Sequence, residues 1–223
     1  VLVLFDIDGT LVHGRPEGHP RALTDAMRAV WGVPATPDDV WGVHPAGRTD
    51  REIARLVLRG HGVPDADIDA GTWPWMSLAC DLHAEAAHLH APPAAAPDAR
   101  AVAQVLAHEG AELALVTGNL EAIGRAKVAA AGLGDLFADG RGGFGSDSEV
   151  RADLVRLARE RAAGVFPDAQ VVVVGDTPRD VMAARAAGVR VIAVATGAHD
   201  AAALADADAV VPDLTGALAV LRD

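Results

Sequence analysis

Four aspartates stand where chemistry could happen. Asp6 and Asp8 lie two apart in DIDGT, and Asp176 and Asp180 lie in GDTPRD. Thr117 joins them in VTGN, with Gly118 and Asn119 directly after it. Each cluster follows a short apolar run of the kind that forms a buried strand. In open α/β sheets ligands gather at the carboxyl ends of the strands, so the three clusters converge on one cleft. A single aspartate after a strand commonly caps the next helix. Converging carboxylates repel, and each raises the others' pKa unless a cation shares the site. Oxygen-only ligands suit a hard cation such as Mg²⁺, typically held by one or two carboxylates and a substrate phosphate.

The elements that must position these groups are legible as alternating patterns. Short, largely apolar runs at 1–5, 112–116, 170–174 and 190–194 have the character of parallel strands covered on both faces, with a weaker fifth at 209–211. Helical patterns fall between them, at about 98–109, 120–131, 149–163, 179–187, 201–205 and 214–221. Strand and helix in alternation predict an α/β, doubly wound, Rossmann-like parallel sheet. The stretch from about 12 to 97 breaks the pattern. It holds helical segments near 20–31, 50–60 and 73–90, no convincing strand, and a Pro/Ala-rich hinge-like close, APPAAAPDAR. All four tryptophans (Trp31, Trp41, Trp73, Trp75) lie in this insertion. They serve either the insertion's own core or ligand stacking. The expected division is 1–12 and 97–223 for the sheet core and 13–96 for the helical insertion.

Composition narrows the function classes. At 223 residues, 51% of them hydrophobic, the chain can build a core without disulfides, and its one cysteine, Cys80, permits none internally. That suits a reducing, cytoplasmic setting. The start VLVLF reads as a strand rather than a secretion signal. No run approaches a membrane span, so no membrane partner is expected. A net charge of −12 speaks against nucleic-acid binding. Whether the chain is a monomer or a homodimer is left open.

DIDGT, VTGN and GDTPRD resemble motifs I, II and IV of the haloacid dehalogenase superfamily of phosphotransferases, in the right order and across essentially the whole chain. The insertion after the first motif is similar to that superfamily's C1 cap, closest in kind to the phosphoglycolate phosphatase and β-phosphoglucomutase group. The resemblance implies that Asp6 attacks phosphorus to give an aspartyl-phosphate and that Asp8 protonates the leaving oxygen and then deprotonates water. It implies that Thr117, Gly118 and Asn119 bind the phosphoryl oxygens. Mg²⁺ would be held by Asp6, the Asp8 backbone carbonyl and Asp176, with Asp180 as a ligand or a partner of one. The expected partner is a small phosphorylated metabolite.

The chain departs from the family at the third motif, a lysine near the start of the helix before the last catalytic strand. Arg151 stands there, 25 residues before Asp176. The chain's only lysine, Lys127, lies 49 residues before it, on the helix after TGN. Arginine supplies a permanent charge and bidentate phosphate contacts, so Arg151 is favoured and Lys127 is its rival. Dehalogenases of the superfamily lack a counterpart of Asp8, and its phosphonate-cleaving members need a cap lysine that is absent here. Phosphatase chemistry is therefore expected, with a phosphomutase or a non-catalytic binding protein as alternatives. Arg48 and Thr49, in HPAGRTDREI, are the specificity candidates, with Asp50 expected to cap the helix that follows. Arg48 could hold a substrate carboxylate, as in a phosphoglycolate-like substrate. His13 and His44 fall near the expected cleft. His83, His88 and His90 have the wrong spacing for a shared metal, Cys80 reads as packed, and ADGRGGFGSD reads as a turn-forming loop.

Overall fold

The structure, a computed structural model, describes residues 1–14 and 17–222. Strand β1 (Leu2–Phe5) is fully buried, and its side chains alternate between two cores. After a tight turn at Gly9 (φ 87°) comes β2 (Val12–His13). Four helices follow: α1 (Gly18–Trp31), α2 (Pro37–Gly42), α3 (Asp50–Gly60) and α4 (Asp65–Ala86). The chain returns through β3 (Ala94–Ala95), which pairs antiparallel with β2. The insertion thus leaves and re-enters the sheet half through one short ribbon. The remainder alternates: α5 (Ala99–His108), β4 (Glu112–Thr117), α6 (Glu121–Ala130), β5 (Gly143–Phe144), α7 (Arg151–Glu160), β6 (Val171–Gly175), α8 (Pro178–Ala186), β7 (Arg190–Val194), β8 (Ala209–Val211) and α9 (Leu214–Arg222).

The six-stranded sheet runs in the order β5-β4-β1-β6-β7-β8, with every pairing parallel. Val3 and Phe5 of β1 join Val172 and Val174 of β6 on one face, under α5 and α9. Leu2 and Leu4 join Val171 and Val173 on the other, under α7 and α8. Each such side chain, fully buried, contributes about 1.5–3 kcal/mol, so the valine-rich strands hold the central carboxyl ends rigidly side by side. The doubly wound α/β reading is correct.

The helical insertion packs a third core around Leu23, Met27, Leu58 and Trp75. Trp75 is buried and donates its Nε1–H to the Leu23 carbonyl, so this tryptophan is structural. Leu120 and Ile123, from the start of α6, complete the same cluster, which ties the insertion to the sheet half through apolar contact.

The structure departs from the expected elements in five places, one of them α2 (Pro37–Gly42), a short helix that the sequence reading did not include. The Gly-rich loop carries β5, whose Gly143 packs where a Cβ would lie 2.0 Å from the Leu154 carbonyl oxygen. The expected strand-free stretch contains β2 and β3, too short to leave a periodic signal. Residues 201–206 form turns rather than a helix. The last insertion helix begins at Asp65, well before the expected start at 73, and runs through Pro74. An interior proline removes one donor and crowds the carbonyl four residues before it, a cost that a long helix packed on its neighbours can bear.

Candidate active site

The carboxyl ends of β1, β4 and β6 open into a cavity of about 800 Å³ between the sheet half and the helical insertion. Asp6, Asp8, Thr117, Gly118, Asn119, Lys127, Arg151 and Asp176 all line it. So do Arg48, His13 and His44 from the insertion side.

Asp6 directly follows β1, and its backbone N–H donates to the Val174 carbonyl at 2.9 Å, which locks β1 to β6 at the site. Its carboxylate clusters with those of Asp176 and Asp180, all three buried, with one oxygen of each within 4.8 Å of the others. Glycines make the cluster possible. A Cβ at Gly9 would lie 2.2 Å from Asp176 Oδ2, and one at Gly197 would lie 1.7 Å from it. Thr10 Oγ1 donates to Asp176 Oδ1 at 3.3 Å. Asp180 is held by local chemistry: Thr177 caps α8, and Asp180 Oδ2 accepts from Thr177 N (3.0 Å) and Oγ1 (2.6 Å) in a capping box.

Arg151, the first residue of α7, faces this cluster. Its guanidinium lies 2.9 Å from Asp6 Oδ1, also bonds Asp180 Oδ1, and donates to the Gly47 carbonyl at 3.0 Å. Burial opposes its charge, but Asp180 and Asp6 together raise its pKa further. One guanidinium does not neutralise three buried carboxylates. Burial pushes Asp6 up to about 7, against the pull of Arg151. Burial and the neighbouring Asp6 and Asp180 push Asp176 up to about 8. An oxygen-only, glycine-cradled cluster with excess negative charge fits a hard divalent cation. Among the described residues, it is the one group of three or more potential ligands that could hold a metal.

Asp8 has different company. Lys127 Nζ bonds both of its oxygens, at 2.9 and 2.7 Å, and Asn119 Nδ2 donates to Oδ2 at 2.7 Å. Enclosure raises the Asp8 carboxyl, but Lys127 and Asn119 outweigh it and hold it below the usual carboxylate range. Asn119 also receives Lys127 Nζ on Oδ1 (2.6 Å) and donates to Thr117 Oγ1 (2.8 Å). Arg151 and Lys127, weighed above as rivals for one position, therefore both stand in the cavity, on different carboxylates. Sequence spacing alone could not show this, because Lys127 reaches the site from the second turn of α6 across 119 residues of chain.

The insertion side corrects the reading of HPAGRTDREI in two respects, at Thr49 and at Asp50. Thr49, expected to bind substrate, is buried and does not line the cavity. It caps α3 by accepting from Glu52 N, and its hydroxyl donates to the Glu149 carbonyl at 3.1 Å. Asp50 is therefore not the cap. Its Oδ2 accepts from Leu120 N at 2.7 Å and bonds His19 Nε2 at 2.9 Å, while its own N–H donates to the Gly118 carbonyl at 2.7 Å. Arg48 lines the cavity with its guanidinium already engaged, by the Glu52 carboxylate and the Val43 and His44 carbonyls. The backbone at Arg48 lies so close to Gly118 that a Cβ there would be 2.0 Å from the Arg48 carbonyl oxygen. That contact explains a glycine inside VTGN. His19 was missed from the sequence because a lone histidine at a helix start carries no spacing signal. Cys80 is packed as expected, and burial pushes its thiol up to about 11.

Among the described residues, no helix is long and apolar enough to cross a membrane. Residues 1–188 match the family model described as haloacid dehalogenase-like hydrolase. The chain is 31% identical over 198 residues to a phosphoglycolate phosphatase of Pseudomonas putida, covering 88% of this chain and 70% of that protein. It is 32% identical over 198 residues to a phosphoglycolate phosphatase of Rhodospirillum rubrum, covering 87% and 79%. The fold matches a crystal structure of a hydrolase from Pseudomonas syringae with a TM-score of 0.68 and 19% identity, over 99% of this chain and 97% of that one. The chain belongs to the haloacid dehalogenase-like hydrolases and is a phosphatase of that family.

Proposed function

We propose that this phosphatase hydrolyses a small phosphomonoester in two steps through a phosphorylated Asp6, with Mg²⁺ as its cofactor. The observation that carries the reading is the division of cationic partners: Arg151 on Asp6 and Lys127 on Asp8, at two carboxylates two residues apart. Asp6 Oδ attacks phosphorus and the ester oxygen leaves, taking a proton from Asp8. Asp8 then removes a proton from water, which attacks the phosphorus and frees phosphate and Asp6. The lysine partner favours the ionised form that this second step requires, and the proton taken from water restores the protonated form on which the first step draws. Thr117 and Asn119 stand beside Asp8, where they can hold the phosphoryl oxygens. Arg151 orients the nucleophile and favours its ionised form against burial. Asp6 and Asp176 would hold the cation, and Asp180 would orient Arg151 and the Thr177 turn. When bound, Mg²⁺ supplies positive charge to offset that of the transferring phosphoryl group.

The helical insertion, residues 13–96, acts as a cap that closes over the substrate and excludes water. Phosphoglycolate is the substrate proposed, from the activity named for relatives at 31% and 32% identity. The test is phosphate release from phosphoglycolate and from a panel of phosphomonoesters, with Mg²⁺ and with chelator. Mg²⁺-dependent release, abolished in Asp6→Asn, is expected. Turnover by Asp6→Asn at the wild-type rate would overturn the mechanism, and hydrolysis of other esters with none of phosphoglycolate would overturn the substrate.

A further inference from the structure

Lys127 Nζ makes one contact that the proposed mechanism does not use. Besides Asp8 and Asn119 it lies 3.1 Å from Nδ1 of His19, a residue of the helical insertion. An ammonium has three hydrogens and no lone pair. The two oxygens of Asp8 share one of those hydrogens and Asn119 Oδ1 takes a second, which leaves the third for the imidazole. Nδ1 must therefore be the unprotonated ring nitrogen, and the ring proton lies on Nε2, 2.9 Å from Asp50 Oδ2. Each end of the ring has the one partner that fixes this tautomer: a donor at Nδ1 and a carboxylate at Nε2.

The arrangement is enclosed. The side chains of Lys127, His19 and Asp50 are 3%, 12% and 3% exposed. Asp50 is anchored on the sheet half as well, through Leu120 N and the Gly118 carbonyl. Two residues of the insertion, on α1 and α3, thus grip the loop after β4 and the lysine on α6. The contact exists only while the insertion is seated on the sheet half. Losing the imidazole would cost the enclosed ammonium a charge-assisted hydrogen bond, so a seated insertion and a lysine held on Asp8 are favoured together.

We infer that His19, oriented by Asp50, is a positioning residue: it takes the third hydrogen of Lys127 and so holds the lysine on Asp8 when the insertion closes. The catalytic consequence rests on the reading above, in which Asp8 moves protons, but the contact itself does not.

The chain's single lysine makes the contact directly observable. Incorporating ¹⁵N-lysine gives one side-chain NMR signal, that of Lys127 Nζ. His19→Asn keeps an oxygen acceptor near the Nδ1 position, whereas His19→Gln places its amide at the Nε2 end and leaves Lys127 without that acceptor. The expected result is a wild-type ammonium signal, slow in exchange with water, that is largely kept in His19→Asn and shifted or broadened away in His19→Gln. The kcat for phosphoglycolate should fall on the order of ten-fold in His19→Gln with KM little changed, as for a hydrogen bond lost to a charged group. His19→Asn should recover most of it, and adding His19→Gln to Lys127→Met should cost nothing further. An unchanged lysine signal in His19→Gln overturns the contact. A changed signal with unchanged kcat, or with Asn no better than Gln, overturns the positioning role. Wild-type turnover by Asp8→Asn would instead bring down the reading of Asp8, whatever the lysine signal does.

Discussion

Asp6 and Asp8 differ by two positions in the chain and belong to opposite electrostatic environments. Asp6 sits among acids: burial and the neighbouring Asp180 and Asp8 raise its carboxyl to about 7 even with Arg151 2.9 Å away. Asp8 sits between Lys127 and Asn119, which hold its carboxyl low. Both follow the same buried strand, but Asp6 is buried at its end and Asp8 stands on the turn beyond it with 42% of its side chain exposed, and their partners differ. Arg151 arrives from the first turn of α7, and Lys127 arrives along α6. On the proposed mechanism, one short motif supplies a nucleophile that needs a cation and a proton carrier that has one already.

The most severe way to break this comparison is to neutralise each carboxylate in turn. Asp6→Asn should lower turnover on the order of 10³-fold or more and leave no acid-stable label from ³²P-substrate. Asp8→Asn should cost about 10²- to 10⁴-fold on phosphoglycolate, yet still acquire label from p-nitrophenyl phosphate, whose leaving group needs no proton. Equal labelling in both would erase the proposed division of labour.

Exchanging the cations sharpens it. Arg151→Met strips the acidic cluster of the guanidinium that faces it and should cost about 3–5 kcal/mol in stability, partly restored by Mg²⁺ in urea unfolding. Lys127→Met releases Asp8 from its depressed pKa. The acid limb of the pH–kcat profile should then move to higher pH, because the ionised base appears later. A limb that stays in place would show that Lys127 does not govern Asp8.

The raised carboxyls also set a pH dependence in the cation-free protein. Asp6 at about 7 and Asp176 at about 8 hold protons that the unfolded chain has released above its ordinary carboxyl pKa of about 4. The folded state thus binds more protons across that window, so stability is fully present below pH about 4 and declines as pH rises through 7–8. Denaturant midpoints should fall over this range with chelator and flatten when Mg²⁺ is added. A midpoint that rises with pH would reverse the assignment. The smallest effect expected is at Arg48. Its guanidinium is already committed to Glu52 and two backbone carbonyls, so Arg48→Ala should change kcat/KM for phosphoglycolate by less than about ten-fold. A larger loss, all of it in KM, would restore Arg48 as a substrate ligand.

Much of this was legible without coordinates. Valine-rich runs at 171–175 and 190–194 identify buried parallel strands, and the polar clusters after them mark the cleft. Local signals failed where an element is too short or too dependent on packing to carry a period. β5 is two residues in a glycine-rich loop, and it becomes a strand only because β4 offers Val116 and Thr117 to pair with. The alanine-rich run at 201–205 has helical propensity but forms turns, with only Leu204 reaching the core. Thr49 carries the hydroxyl expected of a substrate ligand, and its position beside α3 turned that hydroxyl into a cap.

The sequence by itself determined the alternation of elements, the three polar strand ends and the excess of carboxylates over nearby cations. These are consequences of short-range periodicity and residue type, which neighbouring residues express whatever the rest of the chain does. Only the tertiary structure decided which cation meets which carboxylate, that Arg151 and Lys127 both serve, and that His19 and Asp50 reach across from the insertion to the lysine. Those pairings join residues 29 to 145 positions apart. They depend on how helices seat on a twisted sheet, where an ångström of packing selects a partner that spacing along the chain cannot specify.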